Sequence, residues 1–329
     1  MNSLFQSFLS KHFGDYLDHK RALGRKFINE ERALRLFDRF LVSHEINDMP
    51  ELQSALIDSF LTSRPRKRPR SYNHLLCVLR CFFNWMIRQE LLNLSPVTAQ
   101  PRKSCKQERP FLFEPAQVDR LLALAAQLPD NSRAAHRGEI YRMIFSLMYG
   151  LGLRVGEVTR LQYKDIDLEQ QLLVINKSKF GKTRLVPFGP KMAKSIMAYL
   201  VLGVDWYGQW TAEAPVFAFS RTRAYKFVRT ETVSQVFHKL VLQLDFNIPL
   251  GVGTPRLHCL RHSFAVETLL RWYRSGIDPN QRLFQLSTFM GHVDPLSTAW
   301  YLTITDNLLQ EANQRFEQYV SAQFREDFS

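Results

Sequence analysis

The chain is poor in cysteine. Four occur in 329 residues (Cys77, Cys81, Cys105 and Cys259), and no two stand in a Cys-x-x-Cys pair. That count and spacing point away from a disulfide-dense scaffold and a thiolate zinc site. Cys77 and Cys81, four apart in an aromatic-rich helical pattern, read as buried thiols rather than metal ligands. Long apolar runs are also missing, since no stretch approaches 18 uninterrupted apolar residues, and a membrane-spanning helix is therefore not expected. No basic leader precedes an apolar block at the start, which argues against a secretory signal. Glycine (14) and proline (15) are too few for a collagen-like or linker-dominated chain. Hydrophobic residues, at 45%, are too many for a disordered one. These features lead to the expectation of a soluble protein of a reducing, intracellular compartment.

Acidic residues are outnumbered. Asp and Glu total 31 against 44 Lys and Arg, a formal net charge of +13. Such an excess suits a polyanionic partner, nucleic acid or an anionic membrane surface, although it also serves solubility alone. The excess is uneven. Residues 1–109 hold 19 Lys and Arg against 11 Asp and Glu, net +8, and the longer remainder is net +5.

The first hundred residues have helical periodicity throughout. Leu4, Phe5, Phe8, Leu9, Phe13, Tyr16 and Leu17 mark one amphipathic face, and Ala33, Leu34, Leu36, Phe37, Phe40 and Leu41 a second. A third helix is predicted from near Pro50, with Leu52, Leu56, Ile57, Phe60 and Leu61. A fourth carries Leu75, Leu76, Leu79, Phe82, Phe83 and Met86. Between the last two lie Arg64, Arg66, Lys67, Arg68 and Arg70 around two prolines. Alone, such a run is a solvated loop. At the start of a helix in a basic chain it becomes a candidate phosphate-contacting surface.

Residues 95–109 break every period and read as a basic linker. The expected organisation is a helical domain over 1–95, a linker over 96–110 and a second domain over 111–329. That second domain opens with a helix from about Glu114 and a nearly all-apolar one from Tyr141 to Tyr149. A glycine turn, Gly150-Leu151-Gly152, then feeds a helix near Arg154. Leu172–Ile175 and Arg184–Pro187 read as the strands of a β-hairpin around a basic turn. Beyond Pro190 the pattern is again helical, ending in a long amphipathic helix over 306–326.

Five short segments carry chemistry-bearing groups: Gly152-Leu153-Arg154-Val155-Gly156-Glu157, Lys179-Phe180-Gly181-Lys182-Thr183-Arg184, His258-Cys259-Leu260-Arg261-His262, Gly291-His292, and Tyr301. Singly, each has an ordinary structural explanation. In this order and spacing they resemble the catalytic constellation of the tyrosine recombinases, the family of phage integrases and Xer-type recombinases. The likeness spans residues 111–305, and the helical first part resembles that family's core-binding domain. Two departures, Met290 before Gly-His and Trp300 before the tyrosine, remove no functional group. The fold implied is mainly α: a helical core-binding domain plus a mixed α+β catalytic domain with a small β-hairpin.

The resemblance implies an enzyme that cuts and rejoins DNA without a cofactor. Tyr301 would be the nucleophile, leaving a 3′-phosphotyrosine that conserves the bond energy for resealing. Arg154 and Arg261 would hold the non-bridging oxygens. Lys179, in preference to Lys182, would protonate the departing 5′-oxygen, with Lys182 a DNA contact. His258 and His292 would complete the pocket, one assisting Tyr301 deprotonation and the other binding phosphate. Glu157 would buttress Arg154, and His262 is expected to be a structural residue behind the site. Paired metal ions would ask for clustered carboxylates. Asp165 and Asp167 are more simply a turn into a strand, so metal independence is expected. The implied partners are a duplex recombination site and identical or sister recombinases in a tetramer on DNA, with no membrane, in the bacterial cytoplasm at the nucleoid. A type IB topoisomerase and a non-catalytic DNA-binding accessory are the alternatives.

Overall fold

The computed structural model describes residues 5–66, 69–103, 108–176, 183–219, 227–292 and 294–303. The chain divides into two units, Met1–Gln107 and Glu108–Ser329, each with its own core. Lys179, Lys182, Lys67, Arg68 and the segment 306–326 lie outside the described residues.

The first unit contains α1 (Ser10–Ala22), α2 (Ile28–Ser43), α3 (Ser54–Thr62) and α4 (Pro69–Arg88). Glu30 and Glu31 occupy the first turn of α2, where carboxylates complement the helix dipole. Aromatic rings fill the centre. Phe13 meets Phe82 at 4.7 Å and Phe37 meets Phe60 at 4.9 Å, all four fully buried. Asp38 is buried too, and its carboxylate accepts the backbone N–H of Ser7 at 2.9 Å and of Gln6 at 3.0 Å. Those bonds pin the segment entering α1.

Three features differ from the sequence expectation. The third helix begins at Ser54 rather than near Pro50, because residues 49–53 form tight turns, Leu52 N–H donating to the Met49 carbonyl at 3.0 Å. Cys77 and Cys81 are exposed, not buried. Leu75, Leu76, Leu79, Phe82 and Phe83 occupy the inward stripe of α4, which leaves the two thiols on its opposite face. Lastly, residues 97–103 lie along α4. Val97 is buried, and Asn73 and Arg102 exchange bonds of 2.8 and 2.9 Å. The Arg102 guanidinium sits 4.0 Å over the Tyr72 ring.

The second unit is helical around a small sheet. Its elements are α5 (Pro115–Ala126), α6 (Arg137–Gly150), α7 (Val155–Val158), β1 (Ile166–Asp167), β2 (Leu172–Ile175), β3 (Arg184–Pro187), α8 (Pro190–Tyr207), α9 (Thr230–Gln243), α10 (Cys259–Arg274), α11 (Pro279–Met290) and α12 (Leu296–Ala299), followed by a 3₁₀ turn at Trp300–Thr303. The strands pair antiparallel in the order β1-β2-β3, with Leu173 opposite Val186 and Ile175 opposite Arg184. β1, short and without its own apolar run, extends the predicted hairpin by one strand. α6 is the central helix, with Ile140, Tyr141, Ile144, Phe145 and Met148 buried in the core between its neighbours. Among the described residues no helix is long and apolar enough to cross a membrane.

Candidate active site

Each candidate side chain is delivered by the end of an element. Gly152 takes a left-handed conformation (φ 59°), and a Cβ there would lie 2.4 Å from the Phe264 ring. This turn brings Arg154 to the N-terminal cap of α7. Glu157, three residues on, accepts the Arg154 backbone N–H through Oε2 at 2.9 Å and Arg154 Nη1 through Oε1 at 2.8 Å. It thereby fills the acidic half of a capping box while fixing the guanidinium. Arg154 Nη2 donates to the Gly291 carbonyl at 2.8 Å. Gly291 ends α11 in a left-handed conformation (φ 67°) and turns the chain into His292.

His258 caps α10, placing Arg261 and His262 in that helix's first turn. Arg261 is fully buried. Its Nη1 donates to the Gly152 carbonyl and its Nη2 to the Met290 carbonyl at 2.6 Å, while its Nε is buried without a hydrogen-bond partner among the described residues. Burial first, then the nearby Arg154 charge, lower the Arg261 guanidinium to about 9, with Glu157 opposing. It is still a cation at neutral pH. Arg154 and Arg184 both pair with Glu157, so three guanidinium groups face one carboxylate. An anion is what this pocket lacks electrostatically.

Tyr301 is buried on the 3₁₀ turn. Its hydroxyl lies 2.8 Å from His262 Nδ1, and its ring stacks 6.3 Å from that of His292. Burial, only partly offset by Arg261 and Arg154, pushes the phenol up to about 12. Burial followed by His258 and Arg261 pushes His262 down to about 3. Phenol and imidazole are thus about nine pH units apart, so Tyr301 stays protonated while no anion occupies the pocket. His292 Nδ1 is 2.6 Å from the buried Thr298 hydroxyl, which leaves Nε2 as the nitrogen available to a ligand. Burial, then the Arg261 and Arg154 charges, lower His292 to about 4. His258 is exposed at its outer face. Surrounding protein and then the same two guanidinium groups still hold it below the ordinary imidazole value. Its ring stands 4.7 Å from His262, edge to face.

Arg154, Glu157, His258, Arg261, His292 and Tyr301 therefore come together from four separate segments. His262 is corrected: it lies against the tyrosine hydroxyl, because one step along α10 from Arg261 carries it to the face that the 3₁₀ turn covers. Arg184 and Thr298 also belong to the cluster, although the motifs assign them no role. Arg64, Arg66 and Arg70 sit in the other unit. There the Arg64 guanidinium lies 5.9 Å from the Phe60 ring centroid, the Arg66 carbonyl accepts Arg102 Nη1 at 3.2 Å, and Arg70 is exposed. Among the described residues no three His, Cys, Asp or Glu side chains group in a way that could hold a metal ion.

Comparison with known proteins defines the class. Residues 112–307 match the phage integrase family. A putative integrase/recombinase of Sinorhizobium fredii, y4rB, is 31% identical over 304 residues, covering 92% of this chain and 95% of the relative. The tyrosine recombinase XerD of Lacticaseibacillus casei is 28% identical over 308 residues, 90% and 94% of the two chains. Among solved structures, the Tn1549 transposon integrase with circular intermediate DNA superposes with a TM-score of 0.66 at 15% identity, covering 94% of this chain and 99% of that one. A lambda integrase dimer bound to a core site gives 0.63 at 18% identity, 91% and 78%. The chain belongs to the phage integrase family. It is a tyrosine recombinase, an enzyme of DNA strand cleavage and religation, and its mainly helical fold with a small antiparallel sheet is that of the class.

Proposed function

We propose that this chain is a site-specific recombinase of a transposon or integrative element, working through a covalent 3′-phosphotyrosine at Tyr301. The observation that carries the reading is the buried Arg261 cation with its unpartnered Nε, close to Arg154 and to a buried tyrosine. Arg154 and Arg261 clamp the scissile phosphate, and His258 and His292 add hydrogen bonds to it. The phosphate charge that builds during attack favours protonation of the imidazoles around Tyr301, which eases removal of the phenolic proton. His262 orients the hydroxyl. Lys179 protonates the 5′-oxygen as it leaves.

The first unit, with Arg64, Arg66, Lys67, Arg68 and Arg70, binds the duplex together with Lys182. Two such lobes, both basic, suit a clamp around DNA, and a tetramer of identical or sister recombinases completes strand exchange in the cytoplasm. The resemblance of y4rB and of the transposon integrase fold supports the mobile-element role.

A suicide duplex, nicked so that the cleaved fragment diffuses away, tests the central claim. Wild-type protein should accumulate a covalent DNA adduct. Tyr301→Phe should bind the same duplex with unchanged affinity and form none. Adduct formation by the phenylalanine variant at the wild-type yield would remove Tyr301 from the mechanism.

A further inference from the structure

Arg184 occupies an unusual place for a cation. In β3 its side chain is only 10% exposed, whereas the neighbouring Leu185 is 57% exposed. Alternation along the strand explains the parity: buried Val186 anchors the opposite face from Leu185, and Arg184, two residues from Val186, must point the same way as that valine. A hydrophobic residue faces water so that an arginine can face the site.

All three guanidinium nitrogens of Arg184 are used. Nη1 and Nη2 donate to Glu157 Oε1 and Oε2, both at 2.9 Å, and Nε donates to the Phe289 carbonyl at 2.9 Å. A Cβ on Gly291 would lie 2.8 Å from Arg184 Nη1 and 2.9 Å from Cζ, so the guanidinium packs directly against the glycine. Gly291 is also the residue whose carbonyl receives Arg154 Nη2. Arg184 therefore ties the β-hairpin to the Arg154 turn and to the turn that carries His292. Glu157 bears one negative charge. It is shared: Arg154 Nη1 holds Oε1 at 2.8 Å while Arg184 takes both oxygens at 2.9 Å, so its charge is divided between two guanidinium groups instead of falling on Arg154 alone.

We propose that Arg184 is a positioning and charge-balancing residue for DNA cleavage: it satisfies Glu157, so that Arg154 keeps its charge and orientation for the scissile phosphate. This rests on the reading of Arg154 as a phosphate ligand given above.

The test compares two suicide duplexes in the full-length protein. One carries the ordinary phosphodiester and the other a methylphosphonate at the scissile position, where a methyl group replaces a charged non-bridging oxygen. The ratio of the two cleavage rates does not depend on the fraction of folded enzyme. Arg184→Gln should cleave the phosphodiester roughly 10- to 100-fold more slowly than wild type, short of losing a direct oxyanion donor. On the methylphosphonate, with less charge to stabilise, its loss should be under about threefold. Arg184→Lys restores the charge without the fork, so its rate ratio should fall between those of wild type and Arg184→Gln. Equal slowing of Arg184→Gln on both substrates, complete loss on both included, or no slowing on either, overturns the proposal. Failure of wild-type protein to form an adduct with the phosphodiester instead overturns the recombinase mechanism itself, so the two failures are distinguishable.

Discussion

At the residue scale, the tyrosine and its imidazole neighbour describe a phenol held protonated, the resting state of the proposed nucleophile. Tyr301 is buried, pushed up to about 12, and hydrogen-bonded to a neutral His262 at 2.8 Å. At pH 7 about one phenol in 10⁵ is ionised at that value, so in the proposed mechanism activation waits for the phosphate. An ordinary hydrogen bond contributes about 1 kcal/mol net. His262→Ala should accordingly bind DNA normally and form the covalent adduct roughly three- to tenfold more slowly in single turnover. An unchanged rate would mean that the contact serves only the DNA-free state. Tyr301 was legible because its nine-residue distance from His292 belongs to a motif. His262 sits in the same motif, but which way it points depends on the angle between α10 and the 3₁₀ turn, which no local pattern encodes.

At the scale of elements, helix ends and glycines aim the side chains. The site sits where the caps of α7 and α10, the end of α11 and the edge of the sheet converge. Behind it, α6 packs against α5 so closely that a Cβ on Gly138 would lie 2.2 Å from the Ala126 backbone carbonyl oxygen. Backbone cannot yield as a flexible side chain would. Gly138→Ala should therefore lower stability by about 2 kcal/mol or more, as overpacking does, despite alanine's better helix propensity. Denaturant unfolding followed by helical circular dichroism measures this, and a stabilised variant would show that α5 and α6 slide apart at little cost. Helices and hairpin strands were readable from periodicity, and the supporting role of Glu157 from its place one turn after Arg154, whereas its capping bond to the Arg154 N–H came from the structure. The third strand was not, because β1 is two residues long and its pairing comes from its neighbour rather than from an apolar run.

At the scale of the whole molecule, acidity tests the electrostatics of the site. His262 and His292 sit near 3 and 4, and His258 is also lowered, all below the unfolded value near 6.5. Between those values the unfolded chain binds protons that the folded chain refuses, so unfolding gains free energy as pH falls. The stability of neutral imidazoles is thus complete above about pH 7 and declines as acid is added. Glu157, held at about 2 against burial by its hydrogen bonds from Arg184, adds a further loss below about pH 4.5. The melting temperature should fall steadily from pH 7.5 to pH 5. A flat or rising profile would show that these histidines are protonated in the native protein.

The amino-acid sequence determined the helical character, the two basic parts and the family, because periodicity, charge and motif order are read along the chain without knowing which segments meet. Tertiary structure decided that Cys77 and Cys81 face outward, that His262 meets Tyr301, and that Arg184 turns inward to share Glu157 with Arg154. Each of these depends on which face of one element another covers. That choice is made by packing between segments as far apart as residues 157 and 184, or 262 and 301, where a one-residue change in rotation or strand parity exchanges inside for outside.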